Sequence, residues 1–287
     1  RLGLGYEQIK QVNKGIVYCS LSGFGQTGPY RLMAGHDQNY LSFSGVLDAI
    51  GVKNGPPVMP GVQIADLAGG SMWATVAILA ALIGKKSTGR GQYIDVSMMD
   101  GVIPFLSMFA SGFLQDGKPP KRGETIETGA FASCNVYKTK DNKYVTLVAE
   151  EAKFWANFCE AIERPDLIPL QHAPEPTRSK LIEEISVIFQ NKTQAEWNEI
   201  LLSRDVCYAP VKNIADAVED PHFKFRGMLT EIEDSVEGTF KTFSFPVKFS
   251  DADTGVRLPP PRYGEHTEDV LSELGYDNEK IELLRSM

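Results

Sequence analysis

The sequence predicts an α/β protein in two bodies, and three observations carry that reading. A buried-strand pattern, Gly15–Ser20 (GIVYCS), sits between helical stretches and ends in a Gly-rich turn, Ser22–Pro29. A helix from about Asp66 to Ile83 is apolar nearly all round, as a core helix is. A segment rich in Gly, Lys, Pro and Glu, residues 112–128, then separates this half from a second one that opens with a hairpin.

Each element has a local cause. Tyr6–Asn13 has helical spacing, and Asp37–Ile50 carries Tyr40, Leu41, Phe43, Val46, Leu47 and Ile50 at roughly helical intervals before Gly51. Lys53–Pro60, with Gly55, Pro56, Pro57 and Pro60, is a loop. The long apolar helix begins with Asp66 in an N-cap position. It is expected to stop at Gly84, with Lys85 and Lys86 at its negative end. Gln92–Val96 reads as a strand or helix entry, followed by a Met-rich amphipathic run from Met98 to Leu114. Beyond the linker, Ser133–Tyr137 and Tyr144–Ala149 flank the turn Asp141-Asn142-Lys143. Helices follow over Glu151–Glu163, Thr177–Gln190 and Thr193–Leu202, the last opened by a Thr193/Glu196 capping box. Lys241–Phe249 alternates as a strand, and Thr267–Met287 reads as a terminal helix pair.

Composition narrows the function. With 29 basic and 37 acidic residues the net charge is −8, which repels phosphate backbones, so no nucleic-acid partner is expected. The longest apolar stretch, around Thr75–Ile83, is about half the ~20 residues of a membrane-spanning helix, so no membrane partner is expected either. Cys19, Cys134, Cys159 and Cys207 lie far apart without metal spacing, which points to isolated thiols in the cytoplasm and to no bound metal. The chain opens at Arg1 with a helical pattern already under way and no signal peptide, as a piece of a longer protein would.

Gly23-Phe24-Gly25-Gln26-Thr27-Gly28 spells GxGxxG after a strand, but Pro29-Tyr30-Arg31 continues it as loop where a dinucleotide fingerprint needs a helix. A tight turn is expected, with no nicotinamide or flavin. Three ionisable residues stand at predicted helix starts: His36, Asp66 and Glu151. There the helix dipole favours an ionised carboxylate and a neutral imidazole, suited either to moving protons at carbon or, for Asp66, to nucleophilic attack. The same pattern is also that of three plain helix caps.

These residues fall in motifs that resemble one family, the family III CoA-transferases, which also holds 2-methylacyl-CoA racemases. The resemblance spans the chain and rests on Ser22–Tyr30, on Gly35-His36-Asp37-Gln38-Asn39-Tyr40, on Ala65-Asp66-Leu67-Ala68-Gly69-Gly70, on Thr88–Val96, and on Gly264-Glu265-His266-Thr267. It implies a Rossmann-like large domain, a smaller α+β domain, and an interlocked homodimer. Residues 1–111 would then be part of the large domain, 112–128 a linker, 129–235 the small domain, and 236–287 a return segment whose helices pack on the large domain. Coenzyme A enters as part of the acyl-CoA substrate. Its nucleotide contacts are expected mostly in an N-terminal part of the family's large domain that this chain does not contain.

By the same resemblance Asp66, His36 and Glu151 are the catalytic residues, and Tyr40, Gly35, Asp37, Gly69 and Gly70 surround the substrate. The racemase-like company of His36 and Glu151 favours α-proton transfer on a 2-methylacyl-CoA-like thioester. The alternative is CoA transfer to a carboxylic acid through a covalent Asp66 intermediate. Two departures from the racemase pattern are Val62, where an Asn is usual, and Gly129-Ala130-Phe131-Ala132 in place of a Gly-Gly-Ala-Pro segment. For proton transfer, backbone N–H groups at the start of the Asp66 helix are expected to stabilise the enolate oxygen.

Overall fold

The computed structural model describes residues 2–286, which form two compact units divided between Val211 and Lys212. The first unit opens with α1 (Tyr6–Val12) and β1 (Val17–Ser22). The strand starts two residues later than the apolar pattern suggests, because Gly15 and Ile16 still belong to the turn, where the Gly15 N–H donates to Asn13 Oδ1 at 2.9 Å. The expected helix over 37–50 is two, α2 (Asp37–Ser44) and α3 (Val46–Ala49), broken at Gly45, which adopts the left-handed conformation with φ 85°.

The apolar helix departs most from expectation. It begins as a π-helical segment, Ala65–Met72, and continues as α4 (Trp73–Thr88). It runs through Gly84 and stops at Gly89, where φ is 68°. Asp66 is therefore a first-turn residue, with Ile64 in the cap position. Nor is the helix a buried core helix here: in α4 only Ala74 and Ala81 are buried, while Met72, Val76, Leu79 and Ile83 form an exposed stripe. By length and composition, Ala65–Thr88 is also long and apolar enough to cross a membrane, with 24 residues and a mean hydropathy of 1.8. The apolar stretch read from sequence stops short because Gly, Lys, Ser and Thr bound it, although the helix continues through them.

Next come β2 (Gln92–Ser97), α5 (Met98–Val102), a 3-10 turn (Ile103–Leu106) and α6 (Ser107–Asp116). Strands β1 and β2 pair in parallel, Val17 opposite Gln92 through Ser22 opposite Ser97. The Met-rich run is thus not one helix: Pro104 brings in the 3-10 turn. The linker is tethered by Arg122, which donates to Gly55 O at 2.6 Å and to Asp48 Oδ1 at 3.1 Å.

The hairpin forms as its turn requires, from β3 (Cys134–Lys138) and β4 (Tyr144–Val148), with Asn142 at φ 60°. Helices α7 (Ala152–Ala161), α8 (Thr177–Phe189) and α9 (Gln194–Leu201) follow, and β5 (Tyr208–Pro210) joins β4 antiparallel, an element the sequence does not announce. The capping box is present: the Thr193 N–H donates to Glu196 Oε2 at 2.7 Å, and the Glu196 N–H to Thr193 Oγ1 at 3.3 Å.

The second unit contains α10 (Ile214–Val218), α11 (Pro221–Phe225), the antiparallel pair β6 (Leu229–Asp234) and β7 (Gly238–Phe243), and helices α12 (Thr267–Glu273) and α13 (Asn278–Arg285). The alternation expected to run from Lys241 to Phe249 is strand only as far as Phe243, because Leu229–Asp234 pairs with residues 238–243 and no strand opposes the rest. Met287, the last residue of the expected helix pair, lies outside the described residues.

Candidate active site

The Gly-rich turn after β1 makes the floor. Gly25 and Gly28 hold φ 82° and 84°, and the Gln26 N–H donates to both Asp95 carboxylate oxygens at 3.1 and 3.0 Å. No helix opens until Asp37, so this is the tight turn the sequence predicts. Gly23 is required by close approach: a Cβ there would lie 2.3 Å from the Tyr40 ring. Tyr40 is buried and its hydroxyl donates to Gly35 O at 2.6 Å, which holds the chain just before His36 against α2.

His36 caps α2 from its exposed side, and its N–H donates to Asn39 Oδ1 at 3.0 Å. The next residue, Asp37, turns inward and is 4% exposed. Its Oδ1 accepts the N–H of Ala65 at 2.6 Å and the N–H of Asp66 at 3.0 Å. The residue after His36 is thus bonded to the backbone of Asp66 itself. The Asp66 side chain is half-buried. Burial pushes the Tyr40 hydroxyl above the ordinary phenol value, and the nearby charges of Asp66 and Asp37 add to that rise.

Two expectations change here. The N–H groups of Ala65 and Asp66, expected to be free for an enolate oxygen, are already taken by Asp37. Gly69 and Gly70 are buried, and the space left by their missing side chains is filled by protein. A Cβ on Gly69 would meet Val102 at 2.5 Å and Met98 O at 2.6 Å, and one on Gly101 would meet Gly69 O at 1.8 Å. The glycines let the π segment and α5 cross almost backbone to backbone. Within the π segment Ser71 Oγ donates to Asp66 O at 2.9 Å.

Glu151 caps α7 and is exposed. Its charge raises the Cys207 thiol, second to burial, and also contributes to the rise at Lys153, where Asp205 dominates. Among the described residues no hydrogen bond or ion pair joins Glu151 to His36 or Asp66. Hydrogen bonds and charge thus bring Asp37, next to His36 in sequence, and Tyr40 to the Asp66 turn. A cleft of about 600 Å³ between the α3 loop and the β3–β4 sheet is lined by Ile50, Val52, Met108, Val136, Val148 and Glu150, the residue before Glu151. Among the described residues no group of three or more His, Cys, Asp or Glu could hold a metal ion.

An acidic residue and a histidine thus stand at two helix starts, tied through one buried carboxylate, in an α/β unit with a parallel strand pair. The chain belongs to CoA-transferase family III, whose model matches residues 1–267. It is 34% identical over 286 residues to human succinyl-CoA:glutarate CoA-transferase, covering 98% of this chain and 65% of that one. To human alpha-methylacyl-CoA racemase it is 32% identical over 293 residues, covering 100% of this chain and 74% of the relative. The chain thus spans about two thirds of the length of such relatives. Its fold matches the crystal structure of a CAIB/BAIF family protein from Brucella suis with a TM-score of 0.77 and 29% identity, over 95% of this chain and 71% of that one.

Proposed function

We propose that the protein moves the α-proton of a 2-methylacyl-CoA-like thioester and so epimerises its α-carbon. Asp66 and His36 are the two proton carriers, and Glu151 steadies the charged form of His36. The observation that carries this reading is the bond from Asp37 to the Asp66 N–H, which puts the backbones of the two carriers within one hydrogen-bonded unit. One carrier removes the proton, the C–H electron pair forms the Cα=C bond as the carbonyl π pair moves onto the thioester oxygen to give an enolate, and the other carrier protonates the opposite face as the carbonyl re-forms. Coenzyme A takes part only as the thioester half of the substrate and stays attached throughout. Tyr40 and Gly35 shape the wall behind His36.

The scheme needs a second copy of the chain. In one chain Glu151 keeps company with Lys153 and Cys207, so the carboxylate facing His36 comes from the partner of an interlocked homodimer. The packing of a large and a small domain either side of residues 112–128 is supported by two separate cores, one around Leu41 and Val102 and one around Trp155 and Phe189. A cytoplasmic setting fits four free cysteines.

The similarity to succinyl-CoA:glutarate CoA-transferase favours a second reading, in which the Asp66 carboxylate attacks the acyl thioester and passes coenzyme A to a carboxylic acid. The two separate on His36→Ala in the full-length protein. Proton transfer predicts loss of exchange from one α-epimer with the other retained, whereas nucleophilic catalysis predicts little change and an Asp66 hydroxamate after hydroxylamine treatment in the presence of acyl-CoA. Co-expressing His36→Ala and Glu151→Ala chains, each unable to epimerise alone, tests the second copy, since shared sites recover epimerisation in mixed dimers and sites within one chain do not.

A further inference from the structure

We propose that Asp37 is a positioning residue that sets the distance between the two proton carriers. The inference rests on the reading of His36 and Asp66 as a pair. Asp37 follows His36 directly, and its Oδ1 accepts the N–H groups of both Ala65 and Asp66. Asp66 lies 29 residues further along the chain from Asp37, and this carboxylate supplies the side-chain hydrogen bonds that join the start of α2 to the start of the π segment.

Three features make the joint rigid. Asp37 is 4% exposed, so water does not compete for its bonds. Its Oδ2 is buried and meets no donor among the described residues, so the bonding of the side chain is spent on the Asp66 turn alone. Tyr40 closes the same corner from one helical turn on, with its hydroxyl on Gly35 O, so the backbone on both sides of His36 is fixed. Charge-assisted bonds from backbone N–H groups to a carboxylate are about twice as strong as neutral ones. With both N–H groups engaged, the charge on the thioester oxygen must be stabilised by other donors.

Proton transfer between fixed carriers depends steeply on spacing, and a shift of about 1 Å costs about 100-fold in rate. Asp37→Ala in the full-length protein should therefore lower kcat about 100-fold while KM changes less than about 3-fold. Asp37→Asn keeps an acceptor oxygen of the same shape and should restore kcat to within about 5-fold of the parent. Amide hydrogen exchange at Ala65 and Asp66 gives a second readout that needs no activity: protection should drop in Asp37→Ala and persist in Asp37→Asn. Should Asp37→Ala not fold, Asp37→Ser, with a shorter acceptor, takes its place with the same expected order.

Unchanged kcat in Asp37→Ala, or unchanged amide protection, overturns the proposal. So does an Asp37→Asn protein as slow as Asp37→Ala, since charge and not position would then be what matters. If the parent neither exchanges α-protons nor transfers coenzyme A while the amide pattern holds, the proton-transfer reading fails and the joint stands.

Discussion

Within the first unit, the stretch from Ala132 to Tyr208 buries Trp155, Phe158, Phe189, Trp197, Leu147 and Ile185, joined by ring contacts such as Phe158 on Phe189 at 5.8 Å. The stretch that carries Asp66 and His36 is built around a smaller core of Tyr40, Leu41, Val46, Ala65 and Val102, and leaves the apolar stripe of α4 exposed. The first is closed by the β3–β4 hairpin, whose strands are neighbours in sequence, and by β5, which returns to pair antiparallel with β4. The second depends on one parallel pair whose strands are 75 residues apart at Val17 and Gln92, and parallel pairs are ordinarily buried on both faces. On the proposed function, stability and chemistry are housed apart. The Trp-rich core holds itself together, whereas the end that carries the proposed proton carriers adds to its smaller core three individual joints: the Asp37 carboxylate, the Gly69–Gly101 crossing and the Arg122 tether.

The largest effect that would sharpen this contrast is chemical. Asp66→Asn should lower turnover by about 100- to 10,000-fold while leaving the thermal melt within a few degrees, because a half-buried first-turn side chain carries little of the core. A large loss of stability would merge the two roles. Conversely, Phe158→Ala should cost about 3–5 kcal/mol in urea unfolding, since it empties the centre of the Trp-rich core. If the same substitution also abolished activity in protein that remained folded, the separation of the two cores would be broken.

Gly101→Ala probes the catalytic end from its packing. A Cβ there would sit 1.8 Å from Gly69 O, so the crossing must open, at a cost of about 1–3 kcal/mol and with a fall in kcat as the Asp66 turn moves. The smallest effect concerns pH. Burial pushes the Cys159 thiol up to about 12, above its ordinary 9.0. The folded state therefore keeps its proton where the unfolded chain has lost it, so this thiol's contribution to stability is constant below pH 9 and falls between pH 9 and 12. The slope approaches about 1.4 kcal/mol per pH unit, and Cys159→Ala should remove this component. Denaturant titrations of both proteins at pH 8 and 10 measure it.

Much of the fold was legible because its signals are local. Asn142 between two alternating runs forces the hairpin, the Thr193/Glu196 pair starts a helix, and the Gly-rich run after β1 is the turn its spelling suggests. What was not legible depends on distant partners or on small choices of hydrogen bonding. Nothing in the period of Ala65–Met72 distinguishes a π turn from an α turn, and β6 has meaning only once residues 238–243 fold back on it. Gly84 looked like a helix stop, yet a helix tolerates one glycine, and the residue that ends it is the one placed in left-handed conformation, Gly89. At the site, the helix starts of His36, Asp66 and Glu151 could be read from the sequence. The bond between Asp37 and the Asp66 turn could not, because it joins residues 29 positions apart through a side chain whose direction only packing decides.

The central claim is that Asp66 and His36 handle protons at carbon. The most direct test incubates the full-length protein with each epimer of a 2-methylacyl-CoA in heavy water, with carboxylate acceptors added in a parallel reaction, and reads both by mass spectrometry. The account predicts one deuterium at the α-carbon from either epimer, with no new CoA ester. A new CoA ester without deuterium at that carbon would contradict it, and would make Asp66 a nucleophile and His36 part of the wall.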